Sequence, residues 1–165
     1  MGAATQGNTF AGLSLEVERM AERRDDAAWV AAQAAAPTAR FLLLDADTRA
    51  FLQAGHDALR WLDGGERERL CANAPAWLLG IAGGRPHFLV TLADDADAGT
   101  LETRLHARRA SLREAGLLLP ADEAGLFAYA KGLAHWQHET RHCTHCGAPL
   151  RSEEHTSELQ SHSDL

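Results

Sequence analysis

Residues 76–93 read AWLLGIAGGRPHFLVTLA, and the fold turns on them. Two apolar runs flank Gly83-Gly84, and paired glycines supply the positive φ angles that a tight hairpin turn needs. The stretch therefore predicts two antiparallel strands. Upstream, ARFLLLD (39–45) predicts another strand, RAFLQAG (49–55) pairs with it across Asp47-Thr48, and ALRWLD (58–63) is a further candidate ended by Gly64-Gly65. The segment from Leu13 to Ala36 is rich in Ala, Glu and Arg, and ERRDDAAWVAAQAAA (22–36) within it reads as helix, with Asp25 or Asp26 as its cap and Pro37 as its stop. Downstream, LETRLHARRASL reads as a short helix or turn region, and Pro120-Ala121-Asp122-Glu123 opens the strongest helix of the chain, about 122–140. Leu126, Tyr129, Leu133 and Trp136 recur along one face of it at helical spacing. The order of helix, strands, hairpin and helix gives an α+β class: a small mixed or antiparallel sheet with flanking helices, its C-terminal helix leading into a zinc knuckle.

Composition bounds the function. The chain has 165 residues, 45% hydrophobic and 24% charged, which suits a globular domain with a small appendage. A net charge of −7 argues against a general nucleic-acid or anionic-membrane binder, whose footprint is basic. No apolar run approaches the roughly 20 residues of a membrane-spanning helix, so no membrane partner is expected. Three cysteines, two of them close together, do not make a disulfide framework; metal-bound thiolates in a reducing cytoplasm fit better.

Cys143-Thr144-His145-Cys146-Gly147 carries the clearest chemistry. A Cys-x-x-Cys turn presents two thiolates to a tetrahedral zinc, and Gly147 suits the backbone folding over the metal. Cys143 and Cys146 are thus candidate ligands of a structural Zn²⁺, with a redox dithiol or incidental cysteines as the alternatives. A full ribbon needs a second pair downstream, and none is present. His142 and His145 stand too close to Cys143 for easy closure. His135, His138 and His142 form a stripe on the last helix, more often solvated or packed than metal-bound. The sequence changes character at Arg151: RSEEHTSELQSHSDL has two leucines as its only apolar residues. RSEEHTSELQSH is what a common sequencing-adapter DNA gives when translated in one frame, so the natural sequence is expected to end near Pro149 or Leu150. The expected organisation is a flexible arm (1–12), one domain (13–140), half a zinc ribbon (141–150) and a disordered, artefactual tail (151–165).

In this order of pieces the chain resembles the N-terminal half of the NADH pyrophosphatases, the NAD diphosphatases of the Nudix superfamily. ERRDDAAWVAAQAAAPTARFLLL (22–44) looks like that family's opening Arg-x-x-x-x-Trp helix and strand, and LLGIAGGRPHFLVTL (78–92) is similar to its hairpin. EAGLFAYAKGLAHWQHETRHCTHCGAPL (123–150) is the most specific passage, with Trp136-Gln137-His138 where the family often has Trp-His, and His142 in place of an aromatic residue before Cys143. The resemblance covers about residues 10–150; the stretch 46–75 adds little to it. It implies hydrolysis of the pyrophosphate of NADH or NAD⁺ to a nicotinamide mononucleotide and AMP, with NAD-capped RNA as a further substrate and a homodimer as the expected assembly. It also implies a catalytic domain that follows the ribbon. There, carboxylates of a Gly-x5-Glu-x7-Arg-Glu-U-x-Glu-Glu-x-Gly-U box (U aliphatic) hold Mg²⁺ or Mn²⁺, which neutralises the pyrophosphate and activates water. That box is absent from this sequence. Arg113-Glu114-Ala115-Gly116 is the nearest look-alike and lacks the adjoining Glu-Glu pair, and Glu153-Glu154 lies in the adapter-like tail. The expectation is a non-catalytic N-terminal piece of a diphosphatase; a zinc-ribbon binding or dimerisation module is the alternative.

Other residues carry blander expectations. Cys71 reads as a buried small side chain, and Trp29, Trp61, Trp77 and Trp136 read as core. Asp94, Asp95 and Asp97 read as a solvated turn, lacking the offsets of a calcium loop. His106, Arg108 and Arg109 form a small basic surface patch.

Overall fold

The computed structural model describes residues 17–93 and 98–140. The expected arm, Asp94, Asp95 and Asp97, Cys143 and Cys146, and the tail lie outside the described residues.

β1 (Arg40–Leu44) is the strand on which the rest is assembled. Phe41, Leu42, Leu43 and Leu44 are each at most 2% exposed, so both faces of the strand are covered. That is why its sequence is a continuous apolar run rather than an alternation. β2 (Ala50–Gln53) returns antiparallel from it through the turn at Asp47-Thr48, with Leu44 opposite Ala50, as the sequence predicts. β3 is only Trp61–Leu62 and pairs with the other half of β1. β4 (Ala76–Ala82) and β5 (Arg85–Thr91) form the predicted hairpin, with Gly83 at φ 54° and Gly84 at φ 72° in its turn. β5 lies parallel to β1 from Arg40 opposite His87 to Leu44 opposite Thr91, while the other pairings are antiparallel. With β6 (Ala107–Ala110) the sheet runs β4-β5-β1-β2-β6, and β3 adds to β1. The sheet is mixed and the class α+β.

Two apolar layers cover the sheet. On one face Leu42, Leu44, Leu52, Leu79 and Leu89 pack under α4 (Leu112–Ala115) and α5 (Ala121–Glu139). On the other, Phe41, Leu43, Phe51, Phe88 and Val90 pack under α1 (Ala27–Ala34), α2 (Gly64–Cys71) and α3 (Ala98–Leu105). Phe41 and Phe88, partners across β1 and β5, stack with centroids 5.3 Å apart. Each fully buried Leu or Phe of this kind contributes about 1.5–3 kcal/mol over an exposed one.

The structure bears out the first helix and corrects the sequence reading elsewhere. The helix read in 22–36 is α1, capped by Asp26, whose side chain accepts from the Trp29 amide at 3.0 Å; a short 3-10 turn (Ala21–Arg23) precedes it. The described residues upstream of that turn are drawn onto the hairpin: Glu18 and Ile81 exchange both backbone hydrogen bonds at 2.9 Å. Gly80, at φ 149°, permits that approach, since a Cβ there would stand 2.3 Å from the Glu18 carbonyl oxygen. Arg24 then ties the strap down, donating to the Leu78 and Leu79 carbonyls at 2.7 Å and to the Tyr129 hydroxyl at 3.1 Å.

The strand ends before Gly64-Gly65, as expected, but the two glycines also begin α2, which the sequence reading does not include. Asp63 accepts from the Glu66 amide (2.8 Å) and the Glu66 carboxylate accepts from the Asp63 amide (3.2 Å), a reciprocal cap that offsets the poor helix propensity of two glycines. β6, Ala-Arg-Arg-Ala, has no apolar alternation; it is a strand because β2 supplies the ladder. On α5 the face against the sheet centres on Ala124, Phe127, Ala130 and Ala134, with Leu126, Tyr129 and Leu133 on its flank. Small alanines let the helix axis approach the sheet, which turns Trp136 outward to 59% exposure. Trp77 is 38% exposed as well, so only Trp29 and Trp61 of the four tryptophans pack against the core. Cys71 is buried, as expected.

Candidate functional site

The residues expected to bind zinc, Cys143 and Cys146, lie outside the described residues, just beyond the end of α5. Among the described residues no group of three or more His, Cys, Asp or Glu is placed to hold a metal ion. His135 and His138, both exposed on α5, face a groove with Asp47, Thr48, Pro75 and Trp77 rather than a ligand cluster. A catalytic Mg²⁺ or Mn²⁺ does not fit this part of the molecule, because no set of converging carboxylates is formed here.

The described residues instead build a cleft of about 500 Å³ where the starts of β1 and β5 meet the first turn of α5. Its basic wall follows from the parallel pairing, which sets Arg40 beside His87, with Arg85 two residues before His87 on β5. Trp61 projects from β3 between the walls, its ring meeting the His87 ring edge-on at 81° and 5.0 Å. Across the cleft stand Asp122 and Glu123. Glu123 is committed: one carboxylate oxygen accepts from the Leu59 amide at 2.6 Å. Burial, with the Asp122 charge beside it, raises the Glu123 pKa, against the opposing pull of the Leu59 amide and the nearby Trp61 indole.

His87 is set as well. Its Nδ1–H donates to the Arg85 carbonyl at 2.8 Å, which leaves Nε2 as the nitrogen able to take up a proton. Burial lowers its pKa first, and the Arg40 and Arg85 guanidinium groups lower it further, against the Arg85 carbonyl. Neither Arg40 nor Arg85 has a side-chain hydrogen bond or ion pair among the described residues, and nor has Asp122.

The opposite end of β1 contrasts with this. Asp45, 1% exposed, accepts from the Asp47 and Arg49 amides at 3.1 and 2.8 Å, from Arg49 Nε at 2.8 Å and from Arg109 Nη1 at 3.2 Å. Arg109 also pairs with Glu102, whose carboxylate accepts from the Arg109 amide at 2.7 Å. Of the basic patch expected at His106, Arg108 and Arg109, only His106 and Arg108 are therefore exposed. Arg109 closes a buried charge knot.

A family model described as an NADH pyrophosphatase-like rudimentary NUDIX domain matches residues 38–136. The chain belongs to this family. A comparison with curated proteins found no match. The matched segment of the rudimentary NUDIX domain contains all six strands and stops within α5 at Trp136. Arg40, Trp61, Arg85, His87, Asp122 and Glu123 thus all fall inside the family domain, whereas Cys143 and Cys146 fall beyond the match. Sequence reasoning singled out none of the charged residues of the cleft. The only trace is a polar residue at the mouth of two apolar strands, Arg40 before FLLL and Arg85-Pro-His before FLV. No helix among the described residues is long and apolar enough to cross a membrane.

Proposed function

We propose that this rudimentary NUDIX domain is the non-catalytic N-terminal part of an NAD(H) diphosphatase. The assembled enzyme hydrolyses the pyrophosphate of NADH or NAD⁺ to a nicotinamide mononucleotide and AMP, and NAD-capped RNA is a candidate further substrate. The observation that carries this reading is the family match over 38–136, reinforced by the passage EAGLFAYAKGLAHWQHETRHCTHCGAPL that continues it. In the proposal, residues 13–140 form the scaffold and 141–150 the first half of a zinc ribbon. Zinc, when bound, supplies a structural cross-link, and Cys143 and Cys146 are its thiolate ligands on this chain. The sequence offers no Nudix box whose carboxylates would hold the Mg²⁺ or Mn²⁺ that pyrophosphate cleavage requires, so the 165-residue chain by itself is proposed to be inactive.

The test has two parts. The source DNA is resequenced across codon 150 from an independently prepared library, and NADH hydrolysis is assayed with the 165-residue chain and with whatever longer product is found. A frame that runs on through a second Cys-x-x-Cys and a Nudix box, with AMP released only by the longer product, supports the proposal. A confirmed stop after Leu165, or AMP release by the 165-residue chain, overturns it.

The exposure of Trp136 (59%), Leu117 (88%) and Trp77 (38%) favours a second reading, in which the domain mainly supports self-association in a homodimer. Light scattering on the chain decides between monomer and dimer, and a dimer that survives Cys143→Ser/Cys146→Ser places the contact on the domain rather than on the knuckle.

A further inference from the structure

The cleft beside β1 has two walls of opposite charge with Trp61 between them. On one wall the Arg40 and Arg85 guanidinium groups have no polar partner among the described residues, and His87 stands between them on the strand pairing. On the other, the Asp122 carboxylate has none either, while its neighbour Glu123 is occupied by the Leu59 amide. Trp61 lines the cleft and meets the His87 ring edge-on, and the two walls do not close into ion pairs among the described residues. Two converging guanidinium groups are the usual recognition chemistry for a phosphate, which they meet with directed, charge-assisted N–H···O bonds. A lone carboxylate opposite is a receptor for an N–H donor.

We propose that this cleft binds a small molecule with a phosphate at one end and an amine or other strong hydrogen-bond donor at the other. The phosphate lies against Arg40 and Arg85, with His87 Nε2 as a third donor once it is protonated. The amine lies against Asp122. The proposal is of binding without reaction; no metal-holding cluster adjoins the cleft among the described residues. The proposal is independent of the diphosphatase reading: it concerns binding by this chain alone and no hydrolysis.

The phosphate arm also has a proton signature. His87 is faced by Arg40 from β1, by Arg85 from its own strand, by Trp61 from β3, and by Asp122 and Glu123 across the cleft. Burial first, and then the two guanidinium charges, hold its proton off, and a bound dianion offsets those charges. Occupancy therefore moves the His87 titration midpoint upward.

Isothermal titration calorimetry of the full 165-residue chain with O-phosphoethanolamine, inorganic phosphate and ethanolamine tests the proposal. Expected is binding of O-phosphoethanolamine about tenfold or more tighter than of either half, as one well-made charge-assisted contact at each end implies. Arg40→Gln/Arg85→Gln is expected to weaken it by about a hundredfold, and Asp122→Asn to bring its affinity down to that of phosphate. Proton NMR of His87 adds a readout that a merely structural cluster would not move, its midpoint rising on saturation in the unsubstituted chain. A urea unfolding curve for each variant shows whether it is folded, and the NMR shift needs no variant at all. Absence of heat with every probe overturns the proposal. So does equal affinity for phosphate and O-phosphoethanolamine, undiminished binding by the folded double-arginine variant, or a His87 midpoint that ignores the ligand.

Discussion

β1 starts at an arginine whose side chain has no hydrogen bond or ion pair among the described residues, and ends beside an aspartate with four donors. Asp45 and Arg40 are five residues apart on the same scaffold, so the contrast owes nothing to local chain stiffness. What differs is access to water. Asp45 sits at 1% exposure, where an ionised carboxylate is tolerable only if its lone pairs are filled, and the turn Asp47-Thr48-Arg49 folds around it to fill them. Arg40 opens onto a cleft of about 500 Å³, where solvent can hydrate a guanidinium. One end of the strand spends its charge on holding the sheet together; the other keeps its charge available.

Removing the buried charge is the most severe way to break that contrast. Asp45→Ala takes the shared carboxylate from Arg49 and Arg109, leaving them only their other partners such as Asp47 and Glu102, and leaves two turn amides without that acceptor. Taking one partner from a buried ionic cluster costs about 3 kcal/mol or more, which a urea unfolding midpoint at pH 7 would register directly. Asp45→Asn keeps an acceptor for the turn amides but loses the charge, and is expected to fall between the two. An Asp45→Ala midpoint close to that of the unsubstituted chain would show that the knot is incidental.

A milder test concerns the acid wall. Because burial raises the Glu123 pKa, the native state holds that proton to higher pH than the unfolded chain does. The sign follows: below the ordinary glutamate value of 4.5 both states are protonated, and as pH rises through and above it the unfolded chain ionises first, so stability is lost across that window. Glu123→Gln has no such proton. Its amide oxygen still accepts from the Leu59 amide, with any weakening a constant offset, and its stability relative to the unsubstituted chain is expected to climb from pH 4 to pH 7. The check is the difference in thermal midpoint between the two proteins at each pH. A flat difference would mean that the Glu123 carboxyl ionises as in water.

These two ends of β1 were not equally legible in the sequence. ARFLLLD announced a buried strand, and GG between two apolar runs announced the hairpin, because both signals are local: a burial pattern and a turn conformation. The mixed character of the sheet was legible only as a class, since the parallel contact of β1 with β5 joins segments more than forty residues apart. α2 and β6 were missed for opposite reasons. α2 has poor helix formers at its start and exists through the Asp63–Glu66 cap, whereas β6 has no strand pattern and exists through β2. The cleft was illegible on the same grounds as β6. Arg40, Trp61, Arg85 and Asp122 come together only through pairings between distant segments; read alone, the three charged residues are unremarkable surface residues and Trp61 is a core residue. The cysteine motif is the reverse case, clear in sequence because its ligand spacing is local, yet beyond the described residues.

The smallest expected effect is the sharpest test of the comparison. Arg40 makes no ion pair or side-chain hydrogen bond among the described residues, so Arg40→Gln removes no partner from anything. Its aliphatic stem is kept in part by Gln, and β1 loses no backbone pairing. Substitutions of that kind usually stay within about 0.5 kcal/mol. The same urea midpoint that collapses for Asp45→Ala is therefore expected to hold for Arg40→Gln, at the other end of one five-residue strand. A loss comparable to that of Asp45→Ala would mean that Arg40 is a structural charge after all, neutralised across the cleft by Asp122. Asp122→Asn would then cost a similar amount, and the double variant would cost no more than either single one, because a shared interaction can be lost only once. Additive losses near zero in all three variants would leave the strand as described, with one end built for stability and the other free to meet a ligand.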